Sequence, residues 1–249
     1  MYERLDVSLD PAGPDSLFDL AGAYIEAGDV VVDLGCRDGT HLIEMVRRFK
    51  VVGAGVEPVK IQVEKARSAV RHAGLSDRIT LHEGAMHDVP YPDAYFDFVW
   101  CRDVVEQVDD LEGALREMVR IMKPRSHVLI NTTVTTDRLT AQDAALLGHH
   151  LGNVDGNLDR SRLEDAFTRS GLTIEKQTTV GTEWAEHAEE RSQPTSRALL
   201  RLARLRRQRE VMIADHGLDI YKHIEANLHW EVFLFLGKLE PIVYELASP

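Results

Sequence analysis

The run Val30-Val31-Val32-Asp33-Leu34-Gly35-Cys36-Arg37-Asp38-Gly39-Thr40 is followed by Val51-Val52-Gly53-Ala54-Gly55-Val56-Glu57, and this pair constrains the fold more than any other feature of the chain. An apolar strand stops at a glycine-bearing turn, a helix follows, and a second apolar strand ends in a carboxylate. In an open parallel sheet, small ligands bind beyond the carboxyl ends of the strands, and a glycine turn lets the backbone approach them with no Cβ in the way. A carboxylate closing the second strand, about twenty residues on, is placed to accept hydrogen bonds from both hydroxyls of a ribose. A glycine turn alone is weak, because any tight strand-to-helix turn can demand glycine. With Glu57 in place, the pattern is that of a nucleoside-cofactor site.

Two cofactor classes use this plan. A nicotinamide dinucleotide asks for three glycines, so that its pyrophosphate can rest on the helix N-terminus. Here Arg37 stands where the close-approach glycine would be, and Asp33 lies just ahead of the turn. An acid there repels a pyrophosphate and welcomes an ammonium group. The expected ligand therefore carries adenosine, with its ribose, and an amino acid.

On these residues the chain resembles the class I S-adenosylmethionine-dependent methyltransferases of the small-molecule group. Asp33 to Gly39 is similar to that family's cofactor turn, and Glu57 matches its ribose-binding acid. Glu83-Gly84-Ala85-Met86-His87-Asp88-Val89-Pro90-Tyr91 resembles the adenine-binding segment, and Phe96 to Val108 the fourth strand with its following helix. Leu115 to Pro124 and His127 to Asn131 complete a likeness that runs from about residue 14 to residue 180. It implies a doubly wound, mostly parallel, seven-stranded α/β sheet, Rossmann-like, with S-adenosylmethionine as cofactor. The residues it assigns to cofactor binding are Asp33, Gly35, Cys36, Gly39, Glu57, Pro58, Ala85, Met86 and Cys101. Three positions depart from the family: Arg37 replaces the middle glycine, Ala85 stands where an aspartate often meets the adenine amino group, and Gln107 replaces a frequent histidine. The backbone amide of Met86 is then the expected adenine contact.

At 249 residues the chain can bury a proper core, as one large domain or a domain with an insertion. Its 29 Lys and Arg against 41 Asp and Glu give a net charge of -12, which does not supply the basic footprint that nucleic acid requires. No run is long enough to cross a bilayer, and no basic segment with an apolar core opens the chain, so a cytoplasmic protein with no membrane partner is expected. The two cysteines, Cys36 and Cys101, have no paired spacing, and no metal site is assigned.

Residues Pro14 to Gly28 read as an opening helix, and Gly39 to Phe49, Val59 to His72 and Leu111 to Met122 as further helices, the last closed by Lys123 and Pro124. Ile79 to Glu83, Tyr95 to Cys101 and Ser126 to Asn131 read as strands. The looser stretch from Thr132 to Asp159 has the length of a lid or binding loop. Ser161 with Glu164 has the form of a capping box for a helix ending at Gly171. Leu172 to Val180 and His229 to Leu239 are expected as the last two strands, paired antiparallel. On this reading residues 1–181 with 229–249 form the cofactor domain, and 182–228 are a helical insertion before the last strand. The insertion carries an acidic patch (Glu183, Glu186, Glu189, Glu190) and a basic helix (Arg197, Arg201, Arg204, Arg206, Arg207, Arg209). A stripe of Leu199, Leu202 and Leu205 is expected to pack over the pocket, against a second copy as a homodimer, or both.

Methyl transfer from a sulfonium is an in-line displacement, for which positioning can supply roughly 7–11 kcal/mol, more than a general base contributes. A base is helpful and optional. His149 and His150 are the expected catalytic residues, because the loop after the fifth strand opens over the cofactor's methyl end; Asp103, His187 and His223 are the other candidates. The expected activity is methyl transfer to a small organic acceptor, at oxygen ahead of nitrogen or carbon. A non-catalytic cofactor-binding or regulatory protein that retains the fold is the alternative, and a nicotinamide oxidoreductase ranks third.

Overall fold

The computed structural model describes residues 2–249, and at Asp155 the backbone alone. Seven strands, β1 (Val30–Leu34), β2 (Val52–Glu57), β3 (Ile79–Glu83), β4 (Phe96–Arg102), β5 (Met122–Thr135), β6 (Thr173–Thr179) and β7 (Leu239–Ala247), form one sheet in the order β3-β2-β1-β4-β5-β7-β6. Strands β1 to β5 pair in parallel, and β7 inserts antiparallel between β5 and β6. The strand order reverses at β1, whose neighbours are β2 and β4, so the ligand crevice of such a sheet opens at the carboxyl ends of these strands.

The helices are α1 (Tyr2–Leu5), α2 (Ser16–Ala21), α3 (Thr40–Phe49), α4 (Lys60–His72), α5 (Leu111–Ile121), α6 (Ala141–Leu147), α7 (Arg160–Ser170), α8 (Glu183–Ser192), α9 (Pro194–Arg207), α10 (Arg209–His216) and α11 (Leu218–Phe235). Side chains alternate across each strand, so a strand covered on both faces reads as continuously apolar. In β4, Phe98 and Trp100 pack with Leu17 and Phe18 of α2 and Leu42 and Met45 of α3; Phe96, Val99 and Cys101 pack with Leu115 and Met118 of α5 and Leu163 and Phe167 of α7. A third cluster, Leu147, Ala198, Leu202, Leu205, Tyr221, Leu228, Val232 and Phe233, joins α6, α9 and α11 around Leu239 at the start of β7. Because Leu239 pairs with Thr135 at the end of β5, these helices stand over the carboxyl edge of the sheet. No helix among the described residues is long and apolar enough to cross a membrane.

Several boundaries differ from the sequence expectation. The opening helix is short, Ser16–Ala21, and Lys123 and Pro124 lie in β5, which begins at Met122 opposite Phe96 and continues after a register shift. The cap of α7 is Asp159, whose carboxylate accepts from the Arg162 amide at 2.8 Å, so Ser161 is already inside the helix. The largest correction concerns His229 to Leu239: it is the end of α11, and the last strand is Leu239–Ala247. The helical segment between β6 and β7 therefore runs from Glu183 to Phe235 and does not stop at residue 228. A run as apolar as Val232 to Leu236 does not by itself separate a buried helix from a strand. The apolar stripe on α9 is also shifted. Ala198, Leu202 and Leu205 are buried at helical spacing, whereas Leu199 is 54% exposed.

Candidate active site

The turn after β1 is pinned to β2. The amides of Gly35 and Cys36 donate to the Val56 carbonyl at 2.8 and 3.2 Å, and Gly39 donates back to Cys36 at 2.8 Å. Gly35 and Gly39 both have φ of 80°, and Arg37 between them sits at φ 46°. Glycine enters this left-handed region freely; arginine does so only when held. The Arg37 amide donates to Glu57 Oε2 at 3.0 Å, while Glu57 Oε1 accepts from the Val59 amide at 2.9 Å. The buried Glu57 thus braces the turn as well as facing the crevice.

A cavity of about 1010 Å³ fills the crevice, at the upper end of the range for small-molecule sites. The β1 turn gives it Asp33, Gly35, Cys36, Arg37 and Asp38; the end of β2 gives Glu57 and Pro58; the end of β4 gives Arg102, Asp103, Val104 and Glu106. The opposite wall comes from α8, with Trp184, Ala185 and Ala188, and from one face of α11, with His223, Asn227, Trp230, Glu231 and Leu234. No residue of α9 or α10 reaches it.

The charges in the cavity are unusually placed. Asp33 is 2% exposed, and its Oδ2 is buried without a hydrogen bond among the described residues. Burial pushes its pKa up to about 8, against the pull of Arg102. Such an orphaned carboxylate oxygen is costly until a donor reaches it. Glu106 is also buried, accepts from Thr132 Oγ1 at 2.9 Å, and is pushed up to about 8 by burial and by the charge of Asp103. Arg102 donates through Nη1 to His41 Nε2 at 2.9 Å and through Nε to Asp103 Oδ2 at 3.2 Å. Burial, and then Arg102, hold the His41 pKa down to about 4, so its ring is a neutral acceptor at physiological pH.

Of the residues expected to hold the cofactor, the structure brings Asp33, Gly35, Cys36, Glu57 and Pro58 to the cavity. Gly39 stands one step behind, shaping the turn against Ala66. Ala85, Met86 and Cys101 are not among the lining residues: Met86 and Cys101 face the α5 side of the sheet, and burial pushes the Cys101 thiol well up. His149 and His150 are not brought to the large cavity either. They follow the turn at Gly148, and His223 Nδ1 donates to the His150 carbonyl at 2.8 Å; with His223, Asp219 and Ile220 they line a separate cavity of about 460 Å³. No cluster among the described residues has the makings of a metal site. Sequence reasoning missed Arg102, His41 and Glu106. The signal that singled out Glu57, a charged residue closing an apolar strand, applies equally to Arg102.

Residues 32–130 match the family model described as a methyltransferase domain. Over 106 residues the chain is 32% identical to the 27-O-demethylrifamycin SV methyltransferase of Amycolatopsis mediterranei (strain S699), covering 42% of this chain and 39% of that one. Over 146 residues it is 32% identical to the methyltransferase GfsG of Streptomyces halstedii, covering 58% and 45%. The chain thus spans less than half the length of these curated relatives. Others are named as N- and C-methyltransferases. Among solved structures, the [4+2]-cyclase SpnF superposes with a TM-score of 0.73 at 19% identity, over 94% of this chain and 80% of that one. Residues 32–130 are thus similar to a methyltransferase domain, and the seven-stranded, mostly parallel sheet has the fold of the Rossmann-like methyltransferases.

Proposed function

We propose that the protein transfers a methyl group from S-adenosylmethionine to a hydroxyl oxygen of a small organic acceptor. The residues present suit the cofactor. The orphaned Asp33 Oδ2 asks for a cationic donor, which the amino group of a methionine moiety provides, and Glu57 stands where a ribose diol is read. Gly35, Cys36 and Pro58 would form the backbone cradle between them. When bound, S-adenosylmethionine supplies an electrophilic methyl carbon on a sulfonium.

The observation that carries the oxygen assignment is Glu106, a buried carboxylate on the cavity wall with its pKa raised to about 8. A neutral amine attacks without prior loss of a proton; a hydroxyl gains from a base as it attacks, and a base poised near neutral pH is worth about 10²–10⁴ in rate. Glu106 takes this role in place of His149 and His150, and Thr132 Oγ1 orients its carboxylate. Trp184, Trp230 and Leu234 offer apolar surface to the acceptor, while Asn227 and Glu231 offer polar contacts.

The test is a panel of small hydroxyl and amine acceptors incubated with protein and S-adenosylmethionine, read by mass spectrometry for the gain of one methylene. Methylated hydroxyls that disappear with Glu106→Gln are the expected result. Methylated amines alone would move the assignment to nitrogen. Tight cofactor binding without any product would favour a second reading, a protein that uses this fold for another task, as the cyclase of similar fold illustrates.

A further inference from the structure

Resting on the cofactor reading above, we infer that Arg102 is the anchor for the α-carboxylate of the bound cofactor, and that His41 orients it. The ends of β1 and β4 are side by side, with Leu34 paired to Cys101, so Arg102 emerges next to the glycine turn that follows Asp33. The positive field of Arg102 already acts on Asp33. Two neighbouring strand ends therefore present a carboxyl with an unpartnered oxygen and a guanidinium to the same cavity, the partners an amino acid's ammonium and carboxylate require.

The guanidinium is fixed for this task. Nε is engaged by Asp103 and Nη1 by His41, while Nη2 makes no hydrogen bond among the described residues; the side chain is 21% exposed and lines the cavity. A planar fork held at two of its nitrogens keeps its remaining N–H groups aimed, which suits a carboxylate better than a free side chain does. His41 is itself clamped. Its ring centroid lies 6.1 Å from that of Phe18 and 5.9 Å from that of Trp100, and these two rings stack at 5.0 Å. Because the imidazole is neutral, its Nε2 lone pair is open to the guanidinium. Arg37, the other cation in the cavity, is exposed, and ordering its side chain from solvent would gain less.

Calorimetry separates this role from a structural one, using S-adenosylhomocysteine and 5′-methylthioadenosine, which lacks the amino acid. Arg102→Met should weaken S-adenosylhomocysteine about 10- to 100-fold and leave 5′-methylthioadenosine within about twofold. Arg102→Lys should restore part of the loss, and His41→Phe, which keeps the aromatic packing, should weaken the first ligand alone by a smaller factor. Equal losses for both ligands would make Arg102 a support of the cavity and overturn the inference, as would no loss for either. Wild-type protein that binds neither ligand would instead overturn the cofactor reading itself.

Discussion

Gly35 and Val104 meet across the ends of β1 and β4 so closely that a Cβ on Gly35 would fall inside the contact radius of Val104 Cγ2. Gly35 also has φ of 80°. Both constraints exclude a side chain, and the close approach leaves the turn's backbone flush with the cavity wall. Gly35→Ala should therefore destabilise the fold by roughly 1–3 kcal/mol, through strain at the turn and overpacking. Cofactor affinity should fall as well, because Val104 lines the same cavity. Denaturant unfolding and calorimetry measure the two effects; an alanine variant of normal stability would show that the turn can shift without cost.

Asp33 sets a pH dependence whose sign runs against the common behaviour of carboxylates. Its pKa in the folded state is about 8 against an ordinary 3.8, so the folded protein keeps a proton that the unfolded chain releases. Between these values stability falls as pH rises; the contribution is complete below the lower value and lost through the upper one. Urea unfolding at pH 6 and pH 8.5 should show a loss on the order of 1–4 kcal/mol, smaller in Asp33→Asn. Glu106 adds to the same trend, so the asparagine variant flattens only part of it. The same substitution should weaken cofactor binding. Stability that rises between these pH values would show Asp33 ionised and already paired.

What the sequence disclosed depended on how local each signal was. Asp33, Gly35 and Glu57 belong to one strand-turn-helix-strand unit, and the short-range rules that place them hold in the fold. Asp159 is not separable as the cap from sequence, because Ser161 and Glu164 have the capping-box spacing two residues later, and only the Arg162 amide, which donates to Asp159, decides between them. Helix α11 lacks a legible helical pattern for a physical reason. It packs Leu228, Val232 and Phe233 on one side and turns Asn227, Trp230 and Glu231 to the cavity, so its apolar residues do not form the single stripe that marks a surface helix. Arg102 became meaningful only once strand pairing set it beside the β1 turn.

Glu57 carries two loads. Glu57→Gln keeps the shape but replaces one acceptor oxygen with a donor, opposing either the Arg37 or the Val59 amide. The expected loss of cofactor affinity is about 1.5–3 kcal/mol, a factor of roughly 10 to 150. Because the turn loosens too, hydrogen exchange at Arg37 should quicken. Unchanged affinity for S-adenosylhomocysteine would remove Glu57 from the ribose.

If Glu106 accepts the acceptor's proton, only its ionised form works. The turnover rate should then rise with pH and level off above about 8, where the carboxylate is ionised. Glu106→Gln should remove that rise and lower kcat about 10²-fold or more, with cofactor affinity retained. A glutamine variant with the wild-type pH profile would place the titrating group elsewhere.

The helical segment before β7 divides into parts that reach the cavity and parts that do not, and this division predicts opposite outcomes for its residues. Trp184 on α8 and Trp230 on α11 line the same cavity as the β1 turn, so Trp184→Ala and Trp230→Ala should raise the acceptor KM about 10-fold or more while sparing S-adenosylhomocysteine affinity. Arg197, Arg201 and Arg204 are exposed on α9, which buries Ala198, Leu202 and Leu205, and none of the three lines the cavity. Replacing all three by glutamine should leave kcat and KM unchanged and shift stability by no more than about 0.5 kcal/mol each. The contrast distinguishes an acceptor wall from a generic charged lid, because a lid acting through its surface charge would respond to the arginines and ignore the tryptophans. Steady-state kinetics on the two sets with one acceptor decides it. Loss of turnover in the arginine variant with normal KM in the tryptophan variants would move the acceptor site out of the cavity and onto the face of α9.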